Sequence, residues 1–259
     1  MAGDLMLDAR PLPSGPLIVS AQAASGEPFL SLVIPTFNER ENVREFLEAV
    51  RRVLDGAIPG RYELILVDDD SPDRTWEVAA GLAGFPQLRV VRRRGERGLA
   101  SAVIRGWQVA QGDILGTINA DFQHPPEVLP GMLEAIAGAH VVVASRYVAG
   151  GGLGNWRWFR RLTAEAARGC GRLLLPQVFG RISDPLSGCY LARRAAISGV
   201  ELKPLGYKTL MEIVVRGRVE RIRECPYQMR DRERGRSKAG MRQTFQYIGH
   251  LFRLRRAAR

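Results

Sequence analysis

Five short apolar runs, each stopping at polar or acidic residues and most followed by a segment of helical periodicity, limit this chain to few folds. The runs are 29–34 (FLSLVI), 62–67 (YELILV), 88–91, 113–118 and 140–144. Between them, Val43, Phe46, Leu47, Val50 and Leu54 recur at helical spacing, as do positions in 99–109 and 128–136. Asn38 followed by Glu41 has the form of a capping box, and Ser71-Pro72-Asp73 opens a helix containing Trp76, Val78 and Leu82. Runs that are apolar throughout suit strands buried on both faces of a parallel sheet. Strand–helix alternation with right-handed crossovers then predicts a doubly wound α/β domain.

In such sheets ligands bind outside the carboxyl ends of the strands, so the residues where the runs stop are the candidate site. The most informative stretch is 118–127, INADFQHPPE, where Asn119, Asp121 and Gln123 crowd one strand end before Pro125 and Pro126 end it. Carboxylate and amide oxygens suit a hard cation such as Mg2+ that keeps phosphate oxygens in its shell. Asp and Asn at strand ends can also only cap turns. Two further strand ends weigh against that reading. Asp68, Asp69 and Asp70 are adjacent carboxylates that need a ligand, a metal or backbone amides to hold them, and the fifth run ends at Ser145-Arg146-Tyr147.

The second half is less regular. A glycine-rich loop, 150–154, leads into Trp156, Trp158, Phe159, Arg160 and Arg161, which reads as a flexible cover with an aromatic and cationic surface. Ser183 to Gly188 (SDPLSG) is turn chemistry ahead of a strand at 189–192, followed by a helix at 209–216, a strand at 219–225 and a basic loop at 230–238. A helix at 242–256 carries Phe245, Ile248, Leu251 and Phe252 on one face and arginines on the other. Such a helix can lie on an anionic membrane or pack its apolar face on the domain. The expected organisation is a mobile extension over 1–28, a catalytic domain over 29–240 and a basic amphipathic helix over 241–259.

The 259 residues carry 38 Lys+Arg against 27 Asp+Glu, and only Lys203, Lys208 and Lys238 are lysine. Arginine favours planar, bidentate contact with phosphate, so the surplus points to nucleotide phosphates, lipid phosphates or an acidic membrane. A genome that spells most cations as Arg would produce the same surplus. Nucleic acid would rest on charge alone, since no nucleic-acid motif is present, and it is not expected as a partner. Cys170, Cys189 and Cys225 are scattered and without Cys-x-x-Cys spacing, as expected of reduced thiols in the cytoplasm. No apolar run approaches the ~18 residues that span a bilayer and no leader is recognisable, so the chain itself is not expected to cross a membrane.

From Ser31 to Arg256 the chain resembles dolichol- and polyprenol-phosphate mannose synthases, inverting glycosyltransferases of family 2. The stretches that carry the resemblance are IPTFNERENV, VDDDSPDRTWE, RRRGERGLASAVIRG, ADFQHPPEVLP, SRYVAGGG, SDPLSG, LMEIVVRG and RGRSK, in that order. The resemblance implies the Rossmann-like glycosyltransferase fold A, a mostly parallel central sheet with helices on both faces. It further implies that Pro35, Phe37, Glu39, Val67 and Asp69 cradle the nucleotide, and that Asn119, Ala120 and Asp121, with Gln123, hold Mg2+ or Mn2+. Arg146 and Arg160 would face the acceptor phosphate, and Arg232 and Lys238 would close over the donor diphosphate. The implied catalytic residues are Asp121, Arg146 and Arg160. Two positions depart from the family pattern: Asn119 stands where Asp is usual, and Ala164 where relatives can carry serine.

The expected activity is transfer of mannose from the nucleotide sugar GDP-mannose to a dolichyl or polyprenyl phosphate, with the protein peripheral at the cytoplasmic face of a membrane or held there by a membrane-anchored partner. The alternatives are a UDP-glucose-dependent glucosyltransferase of the same class and a catalytically silent sugar-nucleotide-binding subunit, the latter motivated by Asn119.

Overall fold

The computed structural model describes residues 12, 14–21, 29–82, 84–155, 158–206, 208–231 and 241–258, with residues 159, 160 and 241–245 described by backbone alone. The strands are β1 (Leu30–Thr36), β2 (Tyr62–Asp68), β3 (Leu88–Arg92), β4 (Ile114–Thr117), β5 (Val141–Ser145), β6 (Tyr190–Arg193) and β7 (Ile222–Pro226). The helices are α1 (Arg40–Ala57), α2 (Thr75–Ala80), α3 (Leu99–Val109), α4 (Leu129–Ala135), α5 (Trp158–Leu174), α6 (Pro176–Phe179), α7 (Arg194–Ile197), α8 (Thr209–Arg216) and α9 (Met241–Ala257).

Among the described residues the strands form one sheet in the order β3-β2-β1-β4-β6-β5-β7. β1 is parallel to β2 and β4, β2 to β3, and β5 to β7. β6 runs antiparallel to both β4 and β5, so the sheet is mostly parallel, as the resemblance implies. The strand expected at 189–192 is therefore present but reversed, wedged between two strands that would otherwise have been neighbours. Because β4 and β5 share a direction, the carboxyl ends of β2, β1, β4 and β5 still lie on one edge.

Successive strand residues face opposite sides, and the apolar runs supply a core on each. Leu30, Leu32 and Ile34 pack with Phe46, Leu47 and Leu54 of α1 and Met132 of α4. Val33, Ile65 and Val67 pack on the other face with Val103 and Trp107 of α3, Met211 of α8 and Leu251 and Leu254 of α9. α3 comes so close to the sheet that a Cβ on Gly106 would stand 2.7 Å from the Val33 side chain, which explains a glycine in mid-helix despite its cost of about 1 kcal/mol against alanine.

Three local expectations change. The capping box does not form: Asn38 has φ 53°, α1 begins at Arg40, and the free N–H groups of Glu39 and Arg40 are taken by Thr75 Oγ1 and Asp73 Oδ2 from the next strand–helix turn. The aromatic and arginine-rich segment after the glycine loop is largely helix, α5. Within the N-terminal stretch, residues 14–21 lie along α3, where Arg105 donates to Gly15 O, Gln108 to Pro16 O and Ile18 O, and Val19 is fully buried.

The C-terminal helix packs Tyr247, Leu251 and Leu254 into the second core, whereas Ile248 and Phe252 of the expected apolar face are exposed and the Phe245 side chain lies outside the described residues; a buried charge network locks the helix there. His250 Nε2 lies 2.9 Å from Glu212 Oε1, while Arg216 Nε and the Lys203 N–H donate to Glu212 Oε2 at 2.6 and 3.1 Å. Burial pushes the Glu212 carboxyl up, but the bonds from His250 and Lys203 and the charge of Arg216 outweigh it and hold the group below the usual carboxylate range. A depressed carboxylate contributes stability that is present above its unfolded pKa and is lost as pH falls through the folded one. Glu212→Ala, which strands a buried histidine, should cost about 3–5 kcal/mol in urea denaturation at neutral pH. The gap to the parent should narrow under acid, below the ordinary carboxylate value of 4.5; a constant gap would remove Glu212 from that role.

Candidate active site

The crevice lies at the carboxyl edge where β2, β1 and β4 stand side by side and the connections leave in opposite directions, the place where open α/β sheets bind ligands. Pro35 and Val67 are register partners, and beyond them the three adjacent aspartates are held by side chains and backbone amides. Asp68 is fully buried and accepts from Ser71 N, Ser71 Oγ and Thr36 Oγ1 at 2.6–2.8 Å. Burial pushes its carboxyl up against the pull of those bonds. Asp69 is clasped by Arg93, 2.6 Å from Nη2, and by the Gly98 N–H at 2.7 Å. Asp70 accepts from Arg92 Nε at 2.6 Å, and the Arg92 guanidinium lies 4.1 Å over Trp76.

The arginines of the β3–α3 connection thus pair with the β2 end. Arg93, 3% exposed, also reaches Glu96, Ser101 Oγ and Gly98 O. Arg97 lies over the Phe37 ring at 5.1 Å, and a cavity of about 540 Å3 opens between Asp70, Trp76, Arg92 and Arg97. Glu39 is buried and accepts from Asn42 Nδ2. These contacts give aromatic faces, carboxylates and cations on one wall, which suits a nucleoside with its phosphates.

After β4 the chain turns sharply, with Phe122 at φ 57° and its ring edge-on to Phe46. The turn leaves Asn119, Asp121 and Gln123 partly exposed, with buried Ala120 and Phe122 between them. The Gln123 N–H donates to Asp121 Oδ1 at 3.2 Å. Asn119 Oδ1 is buried and has no hydrogen-bond partner. Its amide nitrogen is packed against Gly188, where a Cβ would stand 2.6 Å away. Among the described residues no three His, Cys, Asp or Glu side chains assemble into a metal site. A cation here would take one carboxylate and two amide oxygens, a donor set that fits Mg2+ or Mn2+ bound jointly with phosphate, and the unpartnered Asn119 oxygen is consistent with it.

The opposite side of the crevice is built around Arg146. Its Nε and Nη2 donate to Asp184 Oδ2 and Oδ1, both at 2.7 Å, and its N–H donates to the same carboxylate. Burial pushes the guanidinium down, but Asp184 more than restores it and the net shift is upward. Asp184 is 1% exposed. Glu224 of β7 fixes the turn that carries it by accepting from the Ser183 and Asp184 N–H groups. Arg146 Nη1 points at Met229 Sδ, 3.7 Å away, a weak acceptor.

Three neighbours escaped the sequence reading. His124 stacks on Tyr227 at 4.9 Å, and neither of its ring nitrogens has a partner. Burial, then the nearby Arg146 charge, pulls it down to about 3, so it is neutral at any physiological pH. Lys208 donates to Leu186 O at 2.6 Å, and burial together with the Arg146 charge brings its ammonium down to about 7. Arg168 of α5 lies 3.7 Å over the Tyr147 ring. His124 could have been noticed from its place in INADFQHPPE; Lys208 and Arg168 had no such signal.

Of the expected site residues, Pro35, Phe37, Glu39, Val67, Asp69, Asn119, Ala120, Asp121, Gln123 and Arg146 are brought to this one edge. The Arg160 side chain, Arg232 and Lys238 lie outside the described residues.

The Glycosyl transferase family 2 profile matches residues 31–200. A dolichol-phosphate mannosyltransferase of Pyrococcus furiosus is 44% identical over 226 residues, which are 87% of this chain and 63% of that protein; the chain thus spans less than two thirds of that relative's length. A dolichol-phosphate mannosyltransferase of Mycosarcoma maydis is 30% identical, with 92% of this chain and 82% of that protein covered. Among solved structures, glucosyl-3-phosphoglycerate synthase from Mycobacterium tuberculosis in complex with Mn2+, UDP-glucose and phosphoglyceric acid superposes with a TM-score of 0.66 at 23% identity, covering 88% of this chain and 80% of that one.

The cation reading makes Asn119 decisive, because an amide supplies an oxygen without a charge. Asn119→Asp adds a carboxylate beside Asp121, and at an effective dielectric of ~20 that strengthens the attraction to a divalent ion by several kcal/mol before desolvation removes much of it. Calorimetric titration with Mn2+ should show tighter binding for Asn119→Asp and none for Asp121→Ala. Identical curves for the parent and Asn119→Asp would put position 119 outside the coordination shell.

Proposed function

Because the chain belongs to glycosyl transferase family 2, we propose that it is an inverting hexosyltransferase that moves mannose from GDP-mannose to a polyprenyl phosphate at the cytoplasmic face of a membrane. The observation that carries this reading is the convergence on one sheet edge of a nucleoside-type wall, an oxygen-donor turn and the Arg146–Asp184 pair. Two phosphate-bearing substrates need two separated cationic regions, and Arg92, Arg93 and Arg97 lie on one side of Asn119–Gln123 with Arg146 on the other.

In the proposed reaction an oxygen of the lipid phosphate attacks the anomeric carbon, forming a new C–O bond as the bond to the nucleotide diphosphate breaks on the opposite face. The acceptor's second pKa is near ~6, so it is already an anionic nucleophile at neutral pH and no proton need be removed. Asn119, Asp121 and Gln123 would hold Mg2+ or Mn2+. When bound, that ion neutralises the departing diphosphate. Asp69, preset by Arg93 and the Gly98 N–H, is suited to hold the nucleoside, and Arg146, preset by Asp184, to orient the acceptor. Preset groups raise the rate because their reorganisation is not needed during the reaction.

Membrane contact is supported by the outer faces of α5 and α9. No helix of the described residues is long and apolar enough to cross a membrane. Trp158, Leu162 and Leu173 on α5 and Phe252 on α9 are nevertheless more than half exposed, beside the exposed Arg253, Arg255 and Arg256. Aromatic and apolar side chains beside arginines suit the headgroup boundary.

Incubation of the protein with polyprenyl phosphate and a panel of labelled nucleotide sugars tests the activity. GDP-mannose should give a chloroform-soluble labelled lipid; a labelled lipid from UDP-glucose alone would establish the alternative donor, and no product from any donor would favour the silent subunit. Sedimentation with anionic vesicles tests the surface. Binding should fall as salt rises, since exposed charges are screened over about 8 Å at physiological ionic strength, and it should fall again when Arg253, Arg255 and Arg256 are replaced. Binding indifferent to both changes would point to a protein partner.

A further inference from the structure

The two arginines beside Tyr147 are not equivalent. Arg168 lies 3.7 Å and Arg146 5.5 Å from the centre of the same ring, so the ring that follows β5 has a guanidinium from the strand end and another from α5. Arg146 is matched twice over by Asp184, which is itself fully buried and cannot turn away to solvent. A second anion approaching Arg146 therefore meets an ion pair with little net charge and a fixed carboxylate behind it.

Arg168 is placed differently. It is 8% exposed, and its carboxylate partner is Glu165, reached through Nη1 at 2.8 Å, whose side chain is 48% exposed. An i,i+3 pair with one partner in water is weak, and that partner can release the cation by rotating outward. Arg168 Nε is buried with no hydrogen-bond partner. A guanidinium that is desolvated, loosely compensated and short of an acceptor favours an anion beside it.

We infer that Arg168 is the principal ligand of the acceptor's phosphate, with Arg146 a preset second contact, and this rests on the reading of the β5 end as the acceptor side. Placement on α5 agrees with it. Positions 160, 164 and 168 stand four residues apart and so share one helix face. Ala164, half-buried and small, stands one turn before Arg168. The serine expected at 164 would supply one neutral hydroxyl there, whereas Arg168 supplies a charge and a planar fork that engages two phosphate oxygens. The exposed Trp158 and Leu162 lie on the same helix nearer its N-terminus.

Titration of the whole protein with farnesyl phosphate, followed by calorimetry without nucleotide sugar, tests this directly. Arg168→Gln should weaken binding by about tenfold or more, as expected for loss of a charge-assisted contact, while Arg172→Gln, the same charge change at an exposed site on the helix, should leave it within about twofold. Arg168→Lys should recover part of the loss, because a point charge remains without the fork. Glu165→Gln should tighten binding by freeing Arg168, an opposite effect that a merely structural arginine would not produce and that remains readable if Arg168→Gln fails to fold. Affinity for GDP should not change in any of the four. The inference is overturned if the parent does not bind farnesyl phosphate, if Arg168→Gln binds as the parent does, or if Glu165→Gln weakens binding. A parent that makes no labelled lipid from any donor would sink the transfer reading alone, since this titration needs no donor.

Discussion

A sheet covered by helices on both faces cannot leave charges at its edge to water alone, and the site is organised by how those charges are neutralised. Removing an ion from water costs several kcal/mol unless a well-placed partner restores it. The described structure meets that demand with specific pairs: Asp69 with Arg93, Asp70 with Arg92, Arg146 with Asp184, and Glu212 with Arg216 and His250. Each joins segments distant in sequence or fixes a helix to its neighbour. The side chains that face the crevice are therefore held before any ligand arrives.

The reversed strand β6 gives the two halves of the site their separation. Inserted between β4 and β5, it brings the turn over residues 183–188 to the same edge, so that Gly188 packs against Asn119 and Asp184 against Arg146. One short turn thereby touches the oxygen-donor motif on one side and Arg146 on the other. A fully parallel sheet would have set the ends of β4 and β5 side by side.

α5 and α9 combine rigidity with an unusual outer surface. Leu251 and Leu254 are fully buried, and His250 ties the helix to α8 through Glu212, so the arginines of the last turns are presented from a fixed support. Tyr147 and Arg168 connect α5 to the strand end that carries Arg146.

Alternation of strands and helices, the apolar character of β1 and β2, and the gathering of Asp69, Asn119, Asp121 and Arg146 at one edge were all legible in the amino-acid sequence, because periodicity and strand polarity are local properties and parallel connections leave few topologies. α5 was not read as a helix although its residues carry a helical amphipathic period: the glycine-rich loop ahead of it and Gly169 and Gly171 within it read as flexible chain, and Trp158, Leu162 and Leu173 face outward. The direction of β6 also escaped, since a short apolar run reads alike in both senses. Above all, only the tertiary structure decided which arginine meets which carboxylate. Arg146 finds Asp184 and Arg93 finds Asp69 across 38 and 24 residues, whereas among the described residues the carboxylate that meets Arg168 is the solvent-facing Glu165. In a chain so rich in arginine, composition announces affinity for anions, but which guanidinium keeps charge to spare depends on how fully its partner is buried, and burial is set by packing between elements far apart in the chain.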